Sequence, residues 1–546
     1  MNQRNIAIKP AMELAGQNLI NMLHPDYDYL PSFLIAVDHD YKADRQFFFM
    51  THNIGRWVDA MYRLEAATGF AAPEDIQEAM FCHIKAFCDN PDDLFLRPLD
   101  KLPYGEGDLF CFHSLREHLA AFCMLGKVKK NQWALDSAHR MLVKLESLLL
   151  PRDEWVAEQR VWDIEKTKRY MHLGLKKIHP GWNLNLQGSE GRLIEPLIWY
   201  YELTGDVLAL NLADRFARFH LDYSTSPDGA FYGGSLAGHN HSYMGTIRGL
   251  LAYGRFSGQH EYVDAVAKTY QVAFPTIITP SGYCTHDLDK EMGGDISSAG
   301  DIAQIALWLG MYHGYADYLD DVQRIVVSRL LPCQITASPP LQPKDPERKP
   351  HQEYLPDGRL ALFDYPEDME QLIIGALGGI YGHPYGAKWS VVDVTASALH
   401  SLVDVYNHIA HETENEIRVY FHFDYDTDFV KISSERSEDG EIATLTIEPK
   451  VRKNLWVRIP GWVPGDSLHV THNGNTNATR VSQFLVVNAN DLPGHVQLKY
   501  VRPLHKSVER VDGTDYELTW RGDEVVGICP NTGFYPFYTT TSGCDG

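Results

Sequence analysis

Residues 238–249 read GHNHSYMGTIRG. His239 and His241 stand two apart, so on an extended approach they point the same way and on a helix they diverge. Two imidazoles that titrate near neutrality, with the Tyr243 phenol beside them, suit proton transfer; the plainer reading is a satisfied histidine and a packed tyrosine. Asp295 and Asp301 in GGDISSAGD (293–301) offer carboxylates as acid or base, or simply cap the helix that follows. Arg192 and Glu195 in GSEGRLIE (188–195) are three apart and share a helix face. They either pair with one another or supply a guanidinium clamp and a proton carrier. His113 and His118 in FHSLREH (112–118), and His52 and Arg56 in THNIGR (51–56), add further imidazole and guanidinium donors. Lys388 and Trp389 open KWSVVDVTAS (388–397) with a cation and a stacking surface, and His286 with Asp287 in YCTHDLD (283–289) adds a further acid or base. The catalytic candidates are therefore His241, His239, Asp301, Glu195 and Tyr243. Arg192, His118, His113, His52, Arg56, Lys388, Trp389, His286 and Asp295 are the candidates for binding substrate. No metal-ligand spacing stands out, and no cofactor is expected.

These stretches share a position. Segments 55–70, 116–142, 193–219, 244–270 and 303–330 each show an apolar helical period, a break that usually holds glycine, and a second helical stretch. A degenerate sixth copy runs through TASALHSLVDVYNHIAHE (395–412), and successive units are about 50 to 80 residues apart. A helical hairpin cannot bury its apolar face alone, so six in series are expected to close into an (α/α)6 toroid, with an open superhelix as the alternative. In the closed form the six lead-ins converge on one cavity, which gives their polar residues a common destination.

After about residue 412 the texture changes to short alternating runs such as NEIRVYFHFD, IATLTIEPK and HVQLKYVR, bounded by Asn, Gly, Asp and Pro. The expected architecture is mainly α with a β domain: a barrel over 1–411 and a β-sandwich over 412–546. The Pro-rich stretch 337–359 reads as a long surface loop, or else as a lid or oligomer contact.

At 546 residues, 44% apolar and 22% charged, the chain has the makings of a folded enzyme or binding protein. A net charge of −23 spread along the chain argues against nucleic acid and anionic membrane as partners. Eight scattered cysteines with no C-x-x-C pair read as reduced packing thiols. The N-terminal stretch lacks a basic start and an apolar run, so a cytoplasmic protein is expected, and the 12% aromatic content with the long Pro-rich loop suggests a homo-oligomer.

The barrel-then-strands order, with NLWVRIPGW (454–462), WRGDEVVGICP (520–530), TGDVLALNLADRF (204–216), HSYMGTIRGLLAYGRFSG (241–258) and the hairpin at 303–330, resembles the glycoside hydrolase family 127 superfamily, the β-L-arabinofuranosidase-like enzymes. The resemblance implies a carbohydrate-active enzyme in which His241 and His118 contact sugar. It also implies a zinc–thiolate site, with an E-T-C-like motif at the fifth lead-in and a Cys-Cys pair at the sixth. Here those places read SAGD (298–301) and SVVD (390–393), with no cysteine, so thiolate catalysis and its zinc do not carry over.

The expected function is an exo-acting glycoside hydrolase on short oligosaccharides, with a uronic acid at the non-reducing end suggested by the many His, Arg and Lys residues of the lead-ins. Asp301 or Glu195 would protonate the leaving oxygen. A uronate lyase or dehydratase is the alternative, with His239, His241 or Tyr243 removing a proton and Arg192 or Lys388 neutralising the enolate. A catalytically inactive sugar-binding relative is the third reading.

Overall fold

The computed structural model describes residues 4–38, 40–47, 52–96, 115–158, 160–167, 190–231, 239–287, 293–347, 349–354, 360–378, 383–472, 479–489, 494–533, 535–541 and 544. His113 and part of the Pro-rich stretch lie outside these residues.

Most of the described residues among the first 410 are helical. The principal helices are α1 (Lys9–Asn21), α2 (His52–Thr68), α3 (Glu74–Cys88), α4 (Leu115–Lys129), α5 (Gln132–Ser147), α6 (Ile194–Thr204), α7 (Val207–Tyr223), α8 (Asn240–Ser257), α9 (His260–Val272), α10 (Ile296–Tyr312), α11 (Tyr318–Ile325) and α12 (Val392–Asn407). The hairpin breaks have local causes. Gly205 takes a left-handed conformation after α6 (φ 74°), and Asp206 then caps α7 by accepting from the Leu208 amide at 2.9 Å. Gly258 ends α8 in the same way, with φ 69°.

Six of these helices pack in cyclic order: α2 on α4, α4 on α6, α6 on α8, α8 on α10, α10 on α12, and α12 back on α2. Their residues are buried nearly all round, as helices lined by neighbours on both sides must be. Gly55 shows how close two of them come, since a Cβ there would stand 2.8 Å from the backbone oxygen of Glu117.

The sixth hairpin departs from expectation. The chain after α12 turns into a strand, Ala410–Glu412, and the helix that covers α12 and α2 is α1 from the other end of the chain. The sequence after residue 407 lacks enough apolar period for a second helix, whereas α1 buries Met12, Ala15 and Leu19.

Strands also occur inside the helical part. Leu34–Val37 pairs with Trp389–Val391 and with Lys42–Phe47, which continues to Leu360–Asp364 and then His351–Tyr354. Gln342–Pro343 runs parallel to Lys42 and Ala43. The described part of the Pro-rich stretch is thus partly edge strand, held by backbone pairing that its composition did not advertise.

Among the described residues beyond α12, most strands fall into three sheets. One orders Arg4–Asn5, Val430–Arg436, Ile442–Pro449, Val496–Val501 and His469–His472. A second orders Ala410–Glu412, Glu416–Val419, Asn454–Arg458, Phe484–Val487 and Thr479–Val481, and a third joins Leu504–Val511, Thr514–Arg521 and Glu524–Cys529. Alternate residues of these strands are buried, the period expected of sheets with one covered face. Arg458 of the RIPGW run is fully buried; its Nε donates to the Tyr420 carbonyl at 2.7 Å and its Nη1 pairs with Asp320 of α11. That arginine ties the second sheet to the helical body. Cys529 and Cys544 form a disulfide, which corrects the reading of all cysteines as reduced thiols; Cys123, Cys284 and Cys333 are free and buried. Among the described residues no helix is long and apolar enough to cross a membrane.

Candidate active site

The N-terminal halves of the six cyclically packed helices, with the turn ahead of α6, carry one continuous charged network. Asp393 of α12 meets Arg56 of α2 (Oδ1 to Nε, 2.8 Å) and lies 3.5 Å from His52 Nε2. Arg56 donates to Glu117 of α4 at 2.5 Å, and so does Arg192, which sits in the single turn Gly191–Leu193 ahead of α6. Arg116 stands 3.7 Å from Glu117 and 3.5 Å from Glu195 of α6. Glu195 accepts from Arg248 of α8 at 2.7 and 2.8 Å, and Arg248 donates to Asp301 of α10 at 2.8 Å. Asp301 closes the series on His241, its Oδ2 lying 2.5 Å from Nδ1.

Burial makes these contacts matter. Arg192, Glu195 and Asp301 are fully buried, and Arg56, Arg116, Glu117, His241 and Arg248 are at most 6% exposed. Unpaired, such charges would be expelled; here Arg56, Arg116, Arg192 and Arg248 balance Glu117, Glu195, Asp301 and Asp393. The network is therefore close to neutral in a chain of net charge −23, and an anionic group would not meet there the repulsion that the total implies.

Burial alone would raise the Asp301 carboxyl, but His241 and Arg248 outweigh it and hold the group well below the usual carboxylate range. Glu117 is likewise depressed, burial being overcome by Arg192 and Arg56, and Asp393 by Arg56 and His52. Burial pulls Arg192 down to about 10, with Glu117 opposing.

His241 keeps one ring nitrogen outside these pairs. With Nδ1 engaged by Asp301, its Nε2 is buried and meets no hydrogen-bond partner among the described residues. The carboxylate fixes the ring and determines which nitrogen is left for another partner, an arrangement able to pass a proton at one defined atom.

The remaining sequence candidates divide. His52 and Arg56 belong to the network, and Arg192 and Glu195 do too, though they pair with Glu117 and Arg248 rather than with each other. His239 and His286 lie beside the network as stacked rings, centroids 4.5 Å apart, and His239 is 5.9 Å from His241. Asp295, not Asp301, caps α10, accepting from the Ser297 amide at 2.8 Å. His239, His286 and Asp295 place one donor atom each within 4.8 Å of one another and are the described residues able to hold a metal ion.

Four candidates make other contacts. Tyr243 donates its hydroxyl to the Ser224 carbonyl at 2.8 Å, and burial raises its pKa, so its proton is committed to a neighbouring cluster in which His220 meets Ser224 and Glu190. His118 is fully buried and stacks on Phe95 with ring centroids 4.0 Å apart. Lys388 and Trp389 are half-buried beside the strand pairing with Leu34–Val37, the Lys388 carbonyl accepting from Val37.

Sequence reading passed over Glu117, Arg116, Arg248 and Asp393. Glu117 and Arg116 stand within FHSLREH, and Asp393 ends SVVD, so their placement at lead-ins was available. Arg248 follows His241 by seven residues, two helical turns on the same face, and that spacing was the signal. Where the resemblance puts a zinc–thiolate site, Asp301 and Asp393 are each occupied by a histidine and an arginine; that donor set does not fit it.

No protein-family model and no curated protein matches the chain. Among solved structures, it is similar to a glycoside hydrolase (TM-score 0.55, 11% identity, 96% of this chain and 82% of that one). It is similar also to the GH127 β-L-arabinofuranosidase of Geobacillus stearothermophilus T6 (TM-score 0.55, 11% identity, 96% of this chain and 86% of that one). A second GH127 β-arabinofuranosidase gives a TM-score of 0.52 at 13% identity, over 95% of this chain and 81% of that one. At such identities the likeness is one of fold: this chain has the fold of the GH127 β-arabinofuranosidases and its own set of charged residues at the centre.

Proposed function

We propose that the protein is an exo-acting glycoside hydrolase on short oligosaccharides bearing a uronic acid at the non-reducing end, built as an (α/α)6 toroid over residues 1–411 and a β-sandwich over 412–546. The observation that carries this reading is the Asp301–His241 pair at the focus of a buried, charge-balanced ring. His241 and Arg248 hold the Asp301 carboxyl well below the usual carboxylate range, and both oxygens of Glu195 accept from Arg248, so this reading moves the proton donor from these two carboxyl groups to His241. Their fixed negative charge serves instead to stabilise positive charge developing on the sugar ring in an oxocarbenium-like transition state. His241 Nε2 is the atom that meets the glycosidic oxygen and exchanges a proton there.

Arg116 suits the uronate. The other three arginines of the ring each make a charged contact of 2.8 Å or less, whereas Arg116 stands 3.5 and 3.7 Å from its carboxylates and can turn to an incoming one. The same balance of charge also accommodates the lyase reading, with Arg116 taking the enolate-neutralising place given to Arg192 or Lys388 from the sequence.

Turnover against neutral and uronic-acid oligosaccharides, read both as reducing ends and as ultraviolet absorbance of a new C=C bond, tests the proposal. Reducing ends without absorbance, a preference for uronosides, and loss of about 10²- to 10⁴-fold in kcat for His241→Ala are expected. Arg116→Met should raise KM for uronosides more than for neutral substrates. Absorbance growing with turnover would establish elimination, and no turnover on any substrate would favour a sugar-binding protein. The disulfide favours an oxidising compartment over the cytoplasm expected from the sequence.

A further inference from the structure

The rings of His239 and His286 and the carboxylate of Asp295 lie on three short backbone segments that run side by side. His239 bridges to Asp287, and the Asn240 amide donates to the His286 carbonyl at 2.9 Å. Thr285 bridges to Gly294, and the Asp295 amide donates to the Cys284 carbonyl at 2.9 Å. Asn240 Nδ2 reaches the Thr285 carbonyl at 2.5 Å and the Thr285 hydroxyl at 2.9 Å, a further tie between the first two segments. Each segment thus contributes one ligand-type side chain from a position fixed by main-chain pairing.

The side chains are oriented as well. His286 Nδ1 lies 2.9 Å from Asp287 Oδ1, the carboxylate–imidazole contact that fixes a ring's tautomer and raises the basicity of its other nitrogen. Asp295 is held by the Ser297 amide at 2.8 Å and the Ser298 hydroxyl at 3.2 Å, one on each oxygen, and a carboxylate with about four acceptor sites keeps room for a cation.

We propose that His239, His286 and Asp295 form a binding site for a single divalent transition ion of the zinc type. Two imidazoles and one carboxylate are a borderline donor set that selects such ions over magnesium or calcium, and three protein ligands leave a coordination position open. The donor atoms lie within 4.8 Å of one another, and a tetrahedral ion would draw them to about 3.3 Å, a closing movement within the reach of side-chain torsions. Charge favours the ion. The N-termini of α8 and α10 together oppose a cation with about one positive charge, and Asp295 with Asp287 bring two negative ones. The site is largely buried, with Asp295 and His286 only 1% and 3% exposed, which excludes competing water. With the His239 and His241 rings 5.9 Å apart, an ion here would lie at the edge of the proposed catalytic cavity.

The full chain, stripped with chelator and desalted, is titrated with Zn²⁺ and separately with Co²⁺. Bound metal is counted after dialysis, and the visible d–d bands of Co²⁺ report ligand geometry. One ion per chain, visible bands of a low-coordinate Co²⁺ site and a raised unfolding temperature with Zn²⁺ are expected. Asp295→Asn keeps the helix cap while removing the charged ligand, and should weaken binding at least about 100-fold with the far-ultraviolet spectrum unchanged; Asp287→Asn should weaken it about 10- to 100-fold. Metal that fails to survive dialysis in the wild type, or variants that bind like the wild type, would overturn the proposal. Because the readout is binding rather than turnover, this outcome is independent of the hydrolase reading.

Discussion

Replacing Arg248 by methionine tests the charged network directly. The side chain is 2% exposed and makes three contacts, to both oxygens of Glu195 at 2.7 and 2.8 Å and to Asp301 at 2.8 Å. Removing one partner from a buried pair costs about 3–5 kcal/mol, mostly the penalty of the charge left behind. An independent limit comes from titration: the stranded carboxylate can take up a proton, and for an ordinary pKa near 4.3 this costs about 3.7 kcal/mol at pH 7. The two figures agree, so a loss of about 4 kcal/mol at pH 7 is expected. In the variant the folded-state carboxyl is raised above its unfolded value, so the folded state carries a proton that the unfolded state lacks. The deficit relative to wild type must therefore shrink on acidification, by about 1.4 kcal/mol per pH unit, or about 2.7 kcal/mol between pH 7 and pH 5. Urea unfolding of both proteins, followed by far-ultraviolet circular dichroism at the two pH values, measures this. A loss below about 1 kcal/mol at pH 7, or one that stays flat with pH, would refute the picture of Glu195 and Asp301 as buried charges neutralised by Arg248.

Two further outcomes follow from particular contacts. Burial and the Arg63 charge pull His400 down to about 4, against the opposing pull of Asp59 at 3.0 Å, with Arg248 adding to the lowering. A histidine depressed in the folded state contributes stability that is full above its ordinary 6.5 and is lost as pH falls toward 4, so His400→Gln should flatten the dependence of urea midpoint on pH across that window. Gly55→Ala would push a methyl group to 2.8 Å from the Glu117 carbonyl, where α2 crosses α4, and should destabilise by about 1–3 kcal/mol in the same unfolding assay; no change would mean that the two helices separate readily.

Much of the helical body was legible because its signals are local. The Gly205–Asp206 step ends one helix and starts the next whatever surrounds it, and the apolar period of 303–330 states which faces are covered. The lead-ins were legible as polar clusters, and the structure collects His52, Arg56, Arg192, Glu195, His241 and Asp301 into one network. What could not be read was who pairs with whom. Arg192 and Glu195 share a face, yet each finds its partner on a different helix, because two buried charges at the helix start gain more from full desolvated pairing than from one another. Likewise α1 gives no sign in its own residues that it will cover α12, and the strand at His351–Tyr354 is fixed by its partner Leu360–Asp364 rather than by its proline-rich context.

The sequence by itself determined the periods, the caps and breaks, the change of texture near residue 412, and the supply of acids, bases and guanidinium groups at the helix starts. Each of these depends on residues a few positions apart. Tertiary structure decided that α2 and α12 meet, that Asp301 takes His241 as its partner while Asp295 takes the cap, and that Tyr243 donates to Ser224 while His118 stacks on Phe95. Those outcomes depend on groups up to several hundred residues apart, whose energies exist only once burial has removed water from between them.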